Sequence, residues 1–103
     1  MGTFLGDVSA AQTAAGSTQA DATAAFADHV QVASASDGQG VILKPGNTQD
    51  FRSVCNASSV SLYVYPPSSA AFNGRTTNAP IDLPPGACAL FFFVTSQKIN
   101  AFV

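Results

Sequence analysis

The chain has 103 residues and a formal net charge of −2; only 10% of its residues are charged, whereas 47% are hydrophobic. Soluble domains average about 25% charged residues, and this sequence has one histidine, no glutamate and no tryptophan. The side chains that carry most enzyme chemistry are therefore scarce, and catalysis is not expected. We expect one domain with a modest core that hides much of its surface against copies of itself or a larger assembly.

Charge and hydropathy also argue against two classes of partner. The four Lys and Arg residues are scattered, which is not typical of nucleic-acid binding. The longest apolar run covers residues 87–94, far short of the roughly 20 residues of a membrane-spanning helix. The sequence has no Lys or Arg before Lys44 and no continuous apolar segment near its start, so a secretory signal is not predicted. We expect synthesis and assembly in a reducing cytoplasm.

Residues 1–20 are predicted to form an extended N-terminal arm, followed by a single β domain at residues 21–103. The region after residue 9 is rich in Ala, but Gly16 interrupts it and no apolar residues recur at helical spacing. Such a segment buries too little apolar area to fold alone. Phe4, Leu5 and Val8 are its large apolar residues and are candidates for docking on a neighbouring subunit.

From residue 23 onwards, short apolar runs separated by turn residues predict strands. Pro-Pro and Gly-containing turns recur every 8–12 residues, and Asn73-Gly74 is a strong hairpin signal. This pattern predicts an all-β fold, an antiparallel β-sandwich or small jelly-roll-like barrel. The predicted strands cover residues 23–26, 29–33, 41–43, 51–56, 61–65, 81–83, 87–95 and 99–103.

The strand at residues 87–95 is apolar on both faces. Ala87, Ala89, Phe91 and Phe93 alternate with Cys88, Leu90, Phe92 and Val94. A strand with one solvated face would alternate apolar with polar residues. We therefore expect one face in the core and the other in an interface, with self-association as a homotrimer. The alternative is a central strand buried on both sides within a monomer.

Cys55 and Cys88 are the two cysteines and both fall inside predicted strands. Buried free thiols are the favoured interpretation, and a disulfide between adjacent strands is the alternative. With no Cys-x-x-Cys spacing and one histidine, neither a metal site nor any cofactor is predicted.

Few other residues suggest chemistry. Tyr63 and Tyr65 share one face of a strand and would either stack on a sugar or, more commonly, pack on a neighbouring strand or subunit. Asp28 and His29 are adjacent, but a lone histidine beside a strand is usually structural. The sequence contains no nucleophile elbow, phosphate-binding loop or zinc-protease motif.

Short motifs are spread over most of the chain. They are Ala15-Gly-Ser-Thr-Gln-Ala-Asp-Ala-Thr-Ala24, Gly40-Val-Ile-Leu-Lys-Pro45, Val54-Cys-Asn56, Leu62-Tyr-Val-Tyr-Pro66, Phe72-Asn-Gly74, Ile81-Asp-Leu-Pro-Pro-Gly-Ala87 and the closing apolar strand Phe91-Phe-Phe-Val94. Together these motifs resemble those of tailed-phage virion structural proteins, in particular head decoration (cement) and head-fibre proteins. The chain departs from the pattern in its three consecutive Phe residues and in its two Cys.

The resemblance implies a non-enzymatic virion protein at the capsid surface, assembled in the host cytoplasm. Its partners would be copies of itself and the major capsid protein, and its role would be to stabilise the shell against packaged DNA. Phe4, Leu5, Val8, Tyr63, Tyr65, Phe91, Phe92 and Phe93 are the candidate interface residues. A head-fibre, neck or tail component is one alternative, and a sugar-binding module that uses the two tyrosines is another.

Overall fold

A computed structural model describes residues 8–25 and 27–103, and over these residues the secondary structure is all-β without a helix. The all-β prediction is therefore confirmed. The ten strands are β1 (Val8–Thr13), β2 (Thr23–Ala24), β3 (His29–Ser34), β4 (Gly40–Ile42), β5 (Phe51–Asn56), β6 (Leu62–Tyr65), β7 (Ala71–Phe72), β8 (Ile81–Leu83), β9 (Cys88–Phe93) and β10 (Lys98–Phe102).

The strands form two sheets that the chain visits alternately from β1 to β9, and β10 follows β9 in the same sheet. Sheet A has the order β1-β3-β5-β9-β10-β7, and sheet B has the order β2-β4-β6-β8. From β1 to β6 each strand runs parallel to the previous strand of its own sheet. This part of the chain is therefore wound like a short β-solenoid. After β6 the direction reverses, and β8 and β9 pair antiparallel with β6 and β5.

The prediction of an antiparallel sandwich or jelly-roll-like barrel is wrong in topology. Five of the eight strand pairings within the described residues are parallel. The turn at Asn73-Gly74 does form, with Gly74 at φ 73° and Arg75 N–H bonded to Phe72 O. However, β7 pairs in parallel with β10, so this turn does not join the two strands of a hairpin. Turn residues predict where the chain bends, but not which sheet the next strand joins.

One hydrophobic core receives side chains from both sheets. Sheet A contributes Val54, Phe91 and Phe93, and sheet B contributes Val64 and Leu83, all of them inaccessible to solvent. Alternate residues of each strand point inward, as the two-residue period of a strand requires. The side chains at the positions between them lie on the outer faces of the sheets.

The described part of the predicted arm belongs to the β domain. The sequence predicts no strand here, whereas β1 pairs in parallel with β3 along the edge of sheet A. Ala14 is 1% exposed within the core, and Ala15 bridges to Gly40 in sheet B. Phe4 and Leu5 lie outside the described residues; the backbone of Val8 pairs with His29. Residues 8–15 therefore close one end of the winding.

Gly40 is required by a close approach between neighbouring segments. A Cβ atom at this position would lie 2.7 Å from the carbonyl oxygen of Tyr63 and 2.8 Å from the ring of Tyr65. Both distances are shorter than real Cβ contacts. The absence of a side chain lets β4 lie against β6 while Tyr65 covers it.

The buried Arg52 connects the loop before β5 to the rest of the domain through hydrogen bonds and ion pairs. The Arg52 guanidinium donates to the carbonyl oxygens of Lys44 and Pro45, at 3.2 and 2.7 Å, and lies 5.3 Å from the centroid of the Phe93 ring. It pairs with Asp28 at 3.2 Å and Asp50 at 3.6 Å. A buried charge is tolerated when it is paired and hydrogen-bonded in this way.

Candidate interaction face of sheet A

The outer surface of sheet A carries large apolar side chains exposed to solvent. Phe51 on β5 is 52% exposed, Leu90 on β9 is 50% exposed and Phe102 on β10 is 57% exposed. Phe92 on β9 lies among them and is partly buried. We call these four residues the apolar face. Such side chains are rarely left in contact with water as one patch unless the patch has a function.

Strand register makes the four side chains contiguous. Phe51 stands directly opposite Phe92, and their ring centroids are 5.1 Å apart at an interplanar angle of 58°. Leu90 is opposite Phe102 on the other side of β9. Because β9 lies between β5 and β10, the patch extends across three neighbouring strands in the middle of the sheet.

The prediction that one apolar face of the strand at residues 87–95 lies in the core and the other lies outside it is confirmed. Ala89, Phe91 and Phe93 point into the core and have no exposed surface, whereas Leu90 and Phe92 point outward. The assignment of Phe91 and Phe93 to an interface is therefore wrong. The same alternation that places Phe92 on the outside requires its two neighbours to be inside.

The two cysteines lie at the end of the apolar face and form a disulfide. Cys55 and Cys88 are directly opposite each other on β5 and β9, with Sγ atoms 2.08 Å apart. The favoured interpretation as buried thiols is wrong, and the alternative of a disulfide between adjacent strands is confirmed. Cys88 has the same outward phase as Leu90 and Phe92, and Cys55 that of Phe51. Both cysteines lie within predicted strands, but on the outward-facing side rather than in the core.

The surroundings of the apolar face carry little charge. Outward positions on β3, β5, β9 and β10 include the uncharged residues Gln31, Ser53 and Asn100. Among the outward positions of these four strands, only Lys98 is a Lys, Arg or Asp residue. His29 is buried, with Nδ1 2.9 Å from Ser53 Oγ. A surface of this composition can pack against another apolar surface without desolvating a row of charges.

The two tyrosines lie on the outer face of sheet B and differ in exposure. Tyr65 is only 6% exposed and donates its hydroxyl hydrogen to Ser17 O at 3.1 Å. Burial raises the pKa of this phenol. Tyr63 is 37% exposed and lines a polar cleft of about 240 Å³ with Asp37, Ser61 and Asp82. With their ring centroids 6.3 Å apart and one ring covered, the pair does not present two exposed rings to a ligand.

Other candidate chemistry is not supported in the described part of the chain. It contains no group of three or more His, Cys, Asp or Glu side chains that could hold a metal ion. The carboxylate of Asp28, next to His29, pairs with Lys44 at 3.1 Å as well as with Arg52. No helix among the described residues is long and apolar enough to cross a membrane.

Comparisons with protein-family models, with curated proteins and with solved structures find no match to the chain. The inferences that follow therefore depend on the sequence and on the structure itself. The feature that distinguishes this domain is the exposed apolar face on sheet A, opposite a complete core.

Proposed function

We propose that the protein is a non-enzymatic structural component of a phage particle, a capsid decoration protein that stabilises the shell. The observation that carries the proposal is the apolar face, on which Phe51, Leu90 and Phe102 are each at least half exposed. A chain with only 10% charged residues has few charged side chains to surround such a patch. Burial in an assembly is the state in which this surface is stable.

The proposed mechanism is clamping by buried surface. Stable protein interfaces bury roughly 800 Å² on each partner, and aromatic residues are enriched at their centres. The apolar face would supply the centre of such an interface, and the polar residues around it would supply the rim. Many copies spread over a shell would add binding energy between neighbouring capsid subunits and resist the outward pressure of packaged DNA.

Copies of the chain are the proposed partners of the apolar face, in a homotrimer that binds the major capsid protein. The apolar face and its surroundings carry almost no charge. Two identical copies can therefore meet at this face without bringing like charges together, which supports self-association. The capsid contact is proposed for the start of the chain, where Phe4 and Leu5 lie. Residues 8–15 are already paired within the domain, so this contact would be made by residues 1–7.

The absolute copy number in purified phage particles tests the proposal. Quantitative mass spectrometry would compare this chain with the major capsid protein of the same particles. One copy for every one or few capsid subunits is expected for a decoration protein. A few to a few dozen copies per particle would instead indicate a head-fibre, neck or tail component, and absence from the particle would overturn a structural role.

The oligomeric state tests the role of the apolar face independently of the particle. Sedimentation of the purified chain should show a trimer, and Leu90→Ser with Phe102→Ser should convert it to a monomer that keeps its β-sheet circular dichroism. Tyr63→Ser is the matched control, because it removes an exposed aromatic side chain from the other sheet. A wild-type monomer at all accessible concentrations would contradict self-association through this face.

A sugar-binding module is not proposed, because Tyr65 is covered.

A further inference from the structure

The disulfide joins two parts of sheet A that are built in different ways. Cys55 belongs to β5, the last strand of the parallel winding in this sheet. Cys88 belongs to β9, which runs antiparallel to β5 and continues into β10. The cross-link therefore connects the winding that precedes it to the C-terminal strands, across 33 positions of sequence.

The strands on either side of the disulfide are also held together without it. On the opposite side of these strands Val54 and Ala89 are fully buried in the core. Next to the cross-link, Asn56 N–H donates to Ala87 O at 2.8 Å, and Gly86 N–H donates to Asn56 O at 2.7 Å. The Asn56 side chain is buried and donates to Val60 O and Leu83 O. None of these contacts involves the sulfur atoms.

The disulfide is accessible from solvent. Cys88 is an exposed residue and Cys55 is partly buried, both on the outer face of the sheet. The residue paired with Cys55 on β3 is Gln31, which is itself exposed. A small thiol can therefore approach the sulfur of Cys88 without the opening of the core.

We propose that Cys55–Cys88 is a reversible redox site that exchanges with small dithiols in the folded protein and locks sheet A when oxidised. A thiolate of the dithiol attacks Cys88 Sγ, the S–S bond breaks, and Cys55 leaves as a thiolate that takes up a proton. The second thiol of the reductant then attacks the mixed disulfide and releases Cys88 as a thiol. The protein gains two electrons and two protons, and the reductant becomes a cyclic disulfide.

This proposal goes beyond the proposed function and does not depend on it. A chain assembled in a reducing cytoplasm would carry the dithiol form, and a small-molecule disulfide in an oxidising environment would close the bond by the reverse exchange and become the thiol itself. Oxidation would then fasten the C-terminal strands β9 and β10, which carry Leu90, Phe92 and Phe102, to the strand that carries Phe51. The cross-link would thus fix the two halves of the apolar face relative to each other.

Reduction of the wild-type chain by dithiothreitol without denaturant tests the proposal. Mass spectrometry after thiol alkylation should show two modified cysteines, while the β-sheet circular dichroism stays unchanged. Closing a loop of this length should raise Tm in the oxidised form by about 10–20 °C. Replacement of the reductant by a small-molecule disulfide, oxidised glutathione, should restore that Tm by the reverse exchange. Failure to release thiols until denaturant is added would overturn the proposal, as would loss of the fold on reduction.

The double variant Cys55→Ser with Cys88→Ser supplies the control. It should fold, melt near the Tm of the reduced wild-type chain and show no change with dithiothreitol. An equal response of this variant to dithiothreitol would show that the reductant acts elsewhere. If the variant does not fold, the native reduction of the wild-type chain still decides the question. Sedimentation of both forms separates this result from the proposed function, because a monomeric chain can still be redox-sensitive.

Discussion

Phe51 and Phe92 pack against each other on the solvent side of sheet A, with ring centroids 5.1 Å apart, while the residue beside each of them serves the interior. Arg52 holds the buried ion pairs, and Phe91 fills the core. The same two strands thus build both the core and the apolar face. Substitutions at neighbouring positions should therefore separate stability from assembly.

Phe91→Ala should destabilise the domain much more than Phe92→Ala. Phe91 is fully buried and packs against Phe72 at a centroid distance of 5.2 Å. Removal of a buried Phe side chain lowers the unfolding free energy by about 3–5 kcal/mol. Because Phe92 is partly exposed, its replacement by Ala should lower the unfolding free energy by roughly 1 kcal/mol. Urea denaturation followed by circular dichroism measures both. Equal losses would contradict the assignment of the two faces.

Much of the strand pattern was predictable, because local sequence determines where strands begin and end. The strands at Phe51–Asn56 and Ile81–Leu83 have their predicted bounds. Strand β1 was missed because its residues are small and polar, and it is stabilised by pairing with β3. Strand β7, with two residues, carries no periodic signal of its own.

The parallel winding was not predictable from turn residues alone. The segment between β3 and β4, residues 35–39, contains Ser, Asp and Gly, and the segment between β5 and β6, residues 57–61, contains three Ser. Hairpins and turns that cross to another sheet share such compositions. The apolar face was only partly predictable. Alternation identified two apolar sides of β9, but the core could be assigned to Phe91 and Phe93 only when the opposite sheet was known.

The phenol of Tyr65 should make stability fall at high pH. Burial raises its pKa above the ordinary value of 10.0, so the folded protein holds this proton when the unfolded chain has lost it. The stabilising contribution is complete below pH 10 and is lost as pH rises towards the raised pKa. Tyr65→Phe should flatten the decline of the unfolding free energy with pH in this range, as measured by urea denaturation. An unchanged slope would show that other groups cause the decline.

Arg52→Met should destabilise the domain by about 3–5 kcal/mol, since it removes a buried cation from two carboxylates and leaves backbone carbonyl groups without a donor. The guanidinium pairs with Asp28 and Asp50 and also donates to backbone carbonyl groups. Arg52→Lys should recover only part of the loss, because an ammonium group donates from one nitrogen, whereas the guanidinium reaches three carbonyl groups from three nitrogens. Arg75→Met is the control at an exposed position. Urea denaturation gives the comparison, and a loss for Arg52→Met no larger than for Arg75→Met would contradict a structural role for the buried cation.

Two truncations should distinguish the start of the chain from the sheet that follows it. Deletion of residues 2–7 removes no described strand, and the protein should keep its fold while losing affinity for capsids if the proposed contact lies there.

Deletion of residues 2–14 also removes β1 and the buried Ala14. It should lower the unfolding free energy by several kcal/mol, because the edge of sheet A and part of the core are lost. Thermal melting and capsid co-sedimentation measure the two effects separately. Unchanged capsid affinity after the shorter deletion would place the capsid contact elsewhere on the domain, and unchanged stability after the longer one would show that β1 contributes little to the sheet.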